Sequence, residues 1–209
     1  MYPGERLNSI THLIGAAFSL VGLGALMTVS ILDKDPLMIV SFSFYGFSLV
    51  VLYTMSTLYH SFRPSGLKTL FRKLDHISIY LLIAGTYGPF MLVSLRNSLG
   101  PVILAAVWAM ALIGICLELF LSKRRIYLQL SLYIGMGWAC SIDYQGLLVS
   151  LPGAGLFWLA MGGVGYMVGV VFYVLDLKKK LQHAHGIWHF CVLIGSIGHF
   201  IAVIGYVRA

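Results

Sequence analysis

Seven long apolar runs constrain this chain more than any other feature: residues 13–32, 37–59, 77–95, 101–121, 126–142, 154–175 and 187–207. About 20 apolar residues at roughly 1.5 Å rise each cross the ~30 Å hydrocarbon core of a bilayer, and the fifth run is the shortest. Backbone polar groups inside lipid have to be satisfied within the segment, so each run is read as an α-helix. Of the 209 residues 59% are hydrophobic and only 10% charged, a balance that excludes an ordinary soluble domain. The expectation is an all-α membrane protein, a seven-transmembrane-helix bundle forming one domain over residues 1–209. The first run is too long for the apolar stretch of a secretory signal and lacks a small-residue cleavage site, so it is read as a retained helix.

Orientation follows from the 14 Lys and Arg residues. With the connections assigned alternately to the two sides, Arg6, Arg63, Lys68, Arg72, Lys73, Lys123, Arg124, Arg125, Lys178, Lys179 and Lys180 share the side of the N-terminus. Only Lys34, Arg96 and Arg208 fall on the other. Basic residues stay cytoplasmic, which puts the N-terminus inside and, after seven crossings, the C-terminus outside. The net charge of +7 then reflects topology and attraction to anionic lipid, and calls for no nucleic acid. In a bacterium such a chain is expected in the inner, plasma membrane.

The connections 33–36 and 122–125 leave room for one bundle and no soluble domain. Gly162, Gly165 and Gly169 share a face of the sixth run, a small-residue stripe read as helix packing. Cys116, Cys140 and Cys191 are odd in number and lie within spans, so they suggest packing residues and no disulfide framework.

Polar residues inside the runs carry the functional signal. His60 ends the second run, Asp75 stands just before the third and His185 just before the seventh, all at the inner level. His189 lies one turn deeper, about 6 Å along the axis, and Ser56 shares the face of His60 one turn away. An i, i+4 pair such as His185 and His189 presents two imidazoles to one metal, and His60 offers a third ligand from another helix. Zinc in catalytic sites commonly takes three protein ligands and leaves a fourth position open. Asp75 and Ser56 would then hold water beside it. The competing reading has the histidines solvated among headgroups, with His60 beside Arg63; convergence at one depth favours the metal. His199, about 15 Å deeper than His189, is read as a hydrogen-bonded bundle residue outside the site. His76 and His183 are assigned solvated roles near loops, and Glu118 a pairing with the basic cluster that includes Lys123.

Four segments carry a family resemblance. "ERLNSITHLIG" with Glu5, Asn8 and His12, "STLYHS" with Ser56 and His60, "LDHISIYLLIAGTYGP" opening near Asp75, and "HGIWH" with His185 and His189 resemble the haemolysin III family. That family is the bacterial branch of the progestin and adipoQ receptors, in a wider group that includes alkaline ceramidases. The resemblance implies a seven-helix bundle with the N-terminus inside and a zinc ion near the cytoplasmic face. It implies His60, His185 and His189 as zinc ligands, with Asp75 and Ser56 near the metal water. Glu5, Asn8 and His12, at i, i+3 and i+7, share one face of the entry to the first helix; they either support the site or cap and anchor that span.

Three functions follow as expectations. A zinc-dependent hydrolase of lipid amides or esters would use zinc to activate water, with Asp75 accepting or relaying the proton and a membrane lipid as substrate. A sensor or regulator of lipid homeostasis would bind lipid without turnover, since a fold and its ligands do not establish activity. A pore-forming haemolysin ranks last, because a chain of retained spans stays in its own membrane. Substrate and oligomeric state are not legible.

Overall fold

The computed structural model describes residues 1–2, 4–121 and 125–208. Among them the chain is helical, without strands: α1 (Arg6–Asp33), α2 (Pro36–Ser61), α3 (Gly66–Pro89), α4 (Gly100–Phe120), α5 (Ile126–Trp138), α6 (Tyr144–Ser150), α7 (Gly153–Leu177) and α8 (Ala184–Tyr206). Six of its helical segments are long and apolar enough to cross a membrane. Many large apolar side chains on their outer faces are exposed, among them Phe18, Val21, Leu32 and Phe120, the inside-out surface that lipid requires.

The fifth run departs from the expected single helix. It is helical from Ile126 to Ser150, but a 3₁₀ turn over Ala139–Asp143 divides it into α5 and α6. The cause is a side chain inserted into the backbone ladder. Tyr87 Oη, from α3, donates to Met136 O at 2.5 Å and lies 3.1 Å from Gly137 O. It accepts from Cys140 N at 2.9 Å. The Met136-to-Cys140 bond that a continuous helix would make is thus bridged by the tyrosine.

A second irregularity ends α3. Pro89 has no N–H to donate, and the chain continues as a π-helical turn over Phe90–Ser94, closed by Leu95 N to Phe90 O at 2.8 Å.

The helices pack in a closed series. α8 contacts both α7 and α1, α1 contacts α2, α2 contacts α3, and α3 contacts α4 and α5. At the α7/α8 crossing a Cβ on Gly165 would stand 2.9 Å from Gly195 N, so the glycine stripe lets the two backbones meet. Leu26, Phe42, Tyr45, Tyr53, Tyr80, Met91, Val107 and Val203 fill the centre. On the side opposite the histidines, Arg96 pairs with Asp35 at 3.0 Å, and Asp143 accepts from Ser98 Oγ at 2.5 Å.

Two helices begin earlier than the apolar runs do. α1 starts at Arg6, not at 13, which brings Asn8 and His12 onto a helix with Glu5 as its N-cap. α3 starts at Gly66, capped by Ser65, whose Oγ accepts from Lys68 N at 3.3 Å. Asp75 and His76 therefore sit inside α3, not in the loop before it, and both are buried. Hydrophobicity marks where a helix enters lipid, not where its hydrogen bonding begins.

Candidate metal centre

Two helix ends bring the three expected histidines together. His60 lies in the last turn of α2, and His185 and His189 occupy the first turns of α8. One nitrogen from each lies within 4.8 Å of the others, and their rings stand 4.9 to 5.0 Å apart. His60 and His189 are buried, while His185 is partly exposed.

Each imidazole has its Nδ1 occupied by an acceptor. His60 Nδ1 donates to Glu5 Oε2 at 2.9 Å, and His185 Nδ1 to Asp176 Oδ2 at 3.0 Å. His189 Nδ1 donates to Asn8 O at 3.2 Å and lies 3.4 Å from Thr11 Oγ1. Thr11 Oγ1 lies 2.9 Å from Leu7 O and 3.0 Å from Asn8 O, so its proton is committed to those carbonyls and it serves His189 only as an acceptor. Carboxylates and carbonyls have no proton to give, so Nδ1 carries the hydrogen in all three rings and Nε2 carries a lone pair.

The three lone pairs face one another. His60 Nε2 and His185 Nε2 are 3.3 Å apart, and His189 Nε2 is buried with no hydrogen-bond partner. Lone pairs in that relation repel unless a cation lies between them. Zinc bonds imidazole nitrogen at about 2.0 to 2.1 Å, so two nitrogens of a tetrahedral site stand roughly 3.3 to 3.4 Å apart, the separation seen here. The donor set therefore fits a metal ion of the zinc type, and metal-binding histidines characteristically hand their other nitrogen to a carboxylate or carbonyl in this way.

Glu5 is itself held. Lys68 Nζ lies 2.8 Å from both its carboxylate oxygens and 3.3 Å from Phe62 O, and sits 5.1 Å over the rings of Tyr2 and Tyr59. Burial alone would raise the Glu5 carboxyl; the bonds from Lys68 and His60 outweigh it and hold the group below its ordinary value. The side chains of His185 and Asp176 are 25% and 38% exposed against 4% for His60, so the centre opens beside the α7–α8 turn.

Of the remaining expected residues, Ser56 is engaged by His12: Ser56 Oγ and His12 Nδ1 are 2.7 Å apart. His12 is buried and stacks on His189, centroids 3.7 Å apart. Glu5 accepts from His60 Nδ1 and the Asn8 backbone carbonyl from His189 Nδ1. Asp75 lies buried on α3, its carbonyl accepting from Ser78 Oγ at 2.6 Å. His199 is separate, its Nε2 3.2 Å from Leu159 O.

Two residues escaped the sequence reading. Asp176 reads as an ordinary acid ahead of the loop lysines in "VLDLKKK", and its only signal is a position nine residues before His185. Thr11 gives none. One expectation is corrected: His76 is buried, not solvated, and its Nδ1 donates to Glu118 Oε1 at 2.9 Å. Glu118 also accepts from Gln129 Nε2; Lys123, its expected partner, lies outside the described residues.

Comparison with known proteins matches residues 2–200 to the family model described as "Haemolysin-III related". The chain belongs to the haemolysin III family. It is 42% identical over 202 residues to the hemolysin-3 homolog of Bacillus subtilis (strain 168), covering 97% of this chain and 93% of that protein. It is 41% identical to hemolysin-3 of Bacillus cereus over 203 residues, covering 97% and 91%. The human monocyte to macrophage differentiation factor is 32% identical over 173 residues, 78% of this chain and 68% of its own length. No solved structure matches. Six apolar helices together with this membership establish a multi-pass membrane protein.

Proposed function

We propose that this haemolysin III protein is a zinc protein of the bacterial inner membrane that hydrolyses an amide or ester bond of a membrane lipid at the cytoplasmic face. The observation that carries the reading is the set of three imidazoles with Nδ1 tied to acceptors and Nε2 converging. A purely structural zinc site closes with four protein ligands, whereas a three-ligand site leaves room for a reactant.

The topology behind this reading has the N-terminus inside and seven crossings in one domain, counting the helical stretch from Ile126 to Ser150 as the fifth. The lysines of the α7–α8 turn and the basic residues between α2 and α3 support that orientation. It sets the three histidines at the headgroup level of the inner leaflet, where the polar end of a lipid lies.

His60, His185 and His189 would hold the zinc. When bound there, zinc lowers the pKa of water toward about 7 and polarises a carbonyl. Glu5, Asp176, Asn8 and Thr11 fix the ring orientations and keep Nε2 unprotonated. Asp75, buried on α3, is assigned the proton-accepting role, and Ser56 orients His12 beside the ligand rings. The exposed His185 side gives a lipid headgroup its way in.

The test is metal content and fatty-acid release measured on one purified, detergent-solubilised sample offered ceramides, phospholipids and acyl amides. Zinc-dependent release above that of a chelator-stripped control supports the reading. A folded, zinc-loaded sample inert toward every lipid offered would overturn it and leave a lipid sensor or regulator.

A further inference from the structure

His12 stands beside the three converging imidazoles without being one of them. Its ring lies parallel to His189 within 15°, centroids 3.7 Å apart, and edge-on to Tyr53 at 5.0 Å. Ser56 Oγ, on α2 one turn from His60, holds His12 Nδ1 at 2.7 Å. With one nitrogen anchored there and the ring pinned between His189 and Tyr53, the orientation of the other nitrogen is fixed. That nitrogen, Nε2, is buried and has no hydrogen-bond partner among the described residues. In rings stacked this closely, His12 Nε2 lies in the neighbourhood of His189 Nε2, which is likewise buried and unpartnered.

A buried polar nitrogen left unpaired in a bundle interior is costly, and the cost is relieved when a polar atom enters beside it. His60, His185 and His189 each satisfy Nδ1 internally, and their Nε2 atoms converge where a metal ion would sit. His12 Nε2 has no such account. It stands outside the group whose nitrogens lie within 4.8 Å of one another, so it is placed to contact an occupant of the centre and not to add a fourth ligand.

We propose that His12 Nε2 is a substrate-contacting group: it forms a hydrogen bond to the oxygen that occupies the open position of the three-histidine centre, a water or the carbonyl oxygen of an amide or ester. Ser56 is then a positioning residue that acts through His12. The proposal deepens the hydrolase reading and rests on metal binding at His60, His185 and His189.

The experiment uses the full-length protein with Co²⁺ in place of zinc and acetohydroxamate as an oxygen-donor probe, followed by the visible absorption of the cobalt; no lipid turnover enters it. His12→Leu should keep Co²⁺ and bind the probe roughly 10- to 100-fold more weakly, the size expected for a lost hydrogen bond to a charged group. His12→Gln, which restores a polar atom near the Nε2 position, should recover part of the affinity. Ser56→Ala should weaken the probe in the wild-type background and have no further effect in His12→Leu, the non-additivity of residues acting as one unit. Full probe affinity in cobalt-loaded His12→Leu overturns the proposal while leaving the hydrolase reading intact. Loss of Co²⁺ from both His12 variants also overturns it, since His12 would then support the ligands themselves. Failure of the wild-type protein to bind Co²⁺ or zinc is the separate result that removes the metal reading beneath it.

Discussion

His60 Nε2 and His185 Nε2 face one another at 3.3 Å across 125 residues of sequence. Each ring donates an Nδ1–H hydrogen bond to a carboxylate, Glu5 for one and Asp176 for the other, so two lone pairs meet where nothing in the protein separates them. The arrangement is stable with a cation between them, and the residues around it are laid out to hold that state.

The first prediction concerns those carboxylates. Glu5→Ala and Asp176→Ala should each weaken metal binding roughly 10- to 100-fold, the usual cost of removing a partner that orients a ligating histidine, measured by competition with a chromophoric chelator. Asn8→Ala should change it little, because the bond to His189 uses the backbone carbonyl. The Glu5 carboxyl is held below its ordinary value, so its contribution is present at neutral pH. It is lost only as the pH falls through that lowered value. Unchanged affinity in both Ala variants would show that the rings are oriented by packing alone.

A second prediction separates chemistry from metal binding. Asp75→Asn keeps size and hydrogen-bonding reach but removes the charge that accepts a proton. Fatty-acid release should fall by about 10²-fold or more while the sample stays folded and zinc-loaded. Wild-type turnover in Asp75→Asn would remove Asp75 from the mechanism.

Tyr87→Phe tests the break in the fifth helical stretch. Losing the hydroxyl leaves Cys140 N without its acceptor, while Met136 O keeps its bond from Ala139 N, a cost of about 1 to 3 kcal/mol for a polar group left unpaired. Thermal unfolding should shift to lower temperature with zinc content unchanged. A variant as stable as wild type would show that residues 126–150 close into a regular helix on their own.

Much of the bundle and its centre was legible in the sequence, for identifiable reasons. A bilayer demands long apolar helices, so α2, α4, α7 and α8 begin and end within a few residues of their apolar runs. The i, i+4 spacing of His185 and His189, and the shared depth of His60, follow from helix geometry without any tertiary knowledge. What failed to show were contacts set by side-chain direction between helices. Tyr87 reads as one more apolar-run aromatic until its hydroxyl is found inside another helix. Asp176 is masked by the lysines that follow it. His76 and Glu118 stand 42 residues apart, and nothing local says that they meet. The bond of Ser56 to His12 depends on how α1 leans on α2.

Topology gives a further prediction. A reporter fused after Ala209 should read as periplasmic and one inserted among Lys178, Lys179 and Lys180 as cytoplasmic. The reverse result, with the Ala209 reporter cytoplasmic and the lysine reporter periplasmic, would mean that the stretch from Ile126 to Ser150 does not cross.

The most direct measurement is the metal content of the purified protein by mass spectrometry, wild type against single histidine variants. The wild-type chain should carry one zinc, and His60→Ala, His185→Ala and His189→Ala should each lose or greatly weaken it, since each removes one of three ligands. His199→Ala should retain it, because His199 bonds to Leu159 O elsewhere in the bundle. Wild-type protein free of metal after expression with zinc, or equal loss from all four variants, would contradict the account.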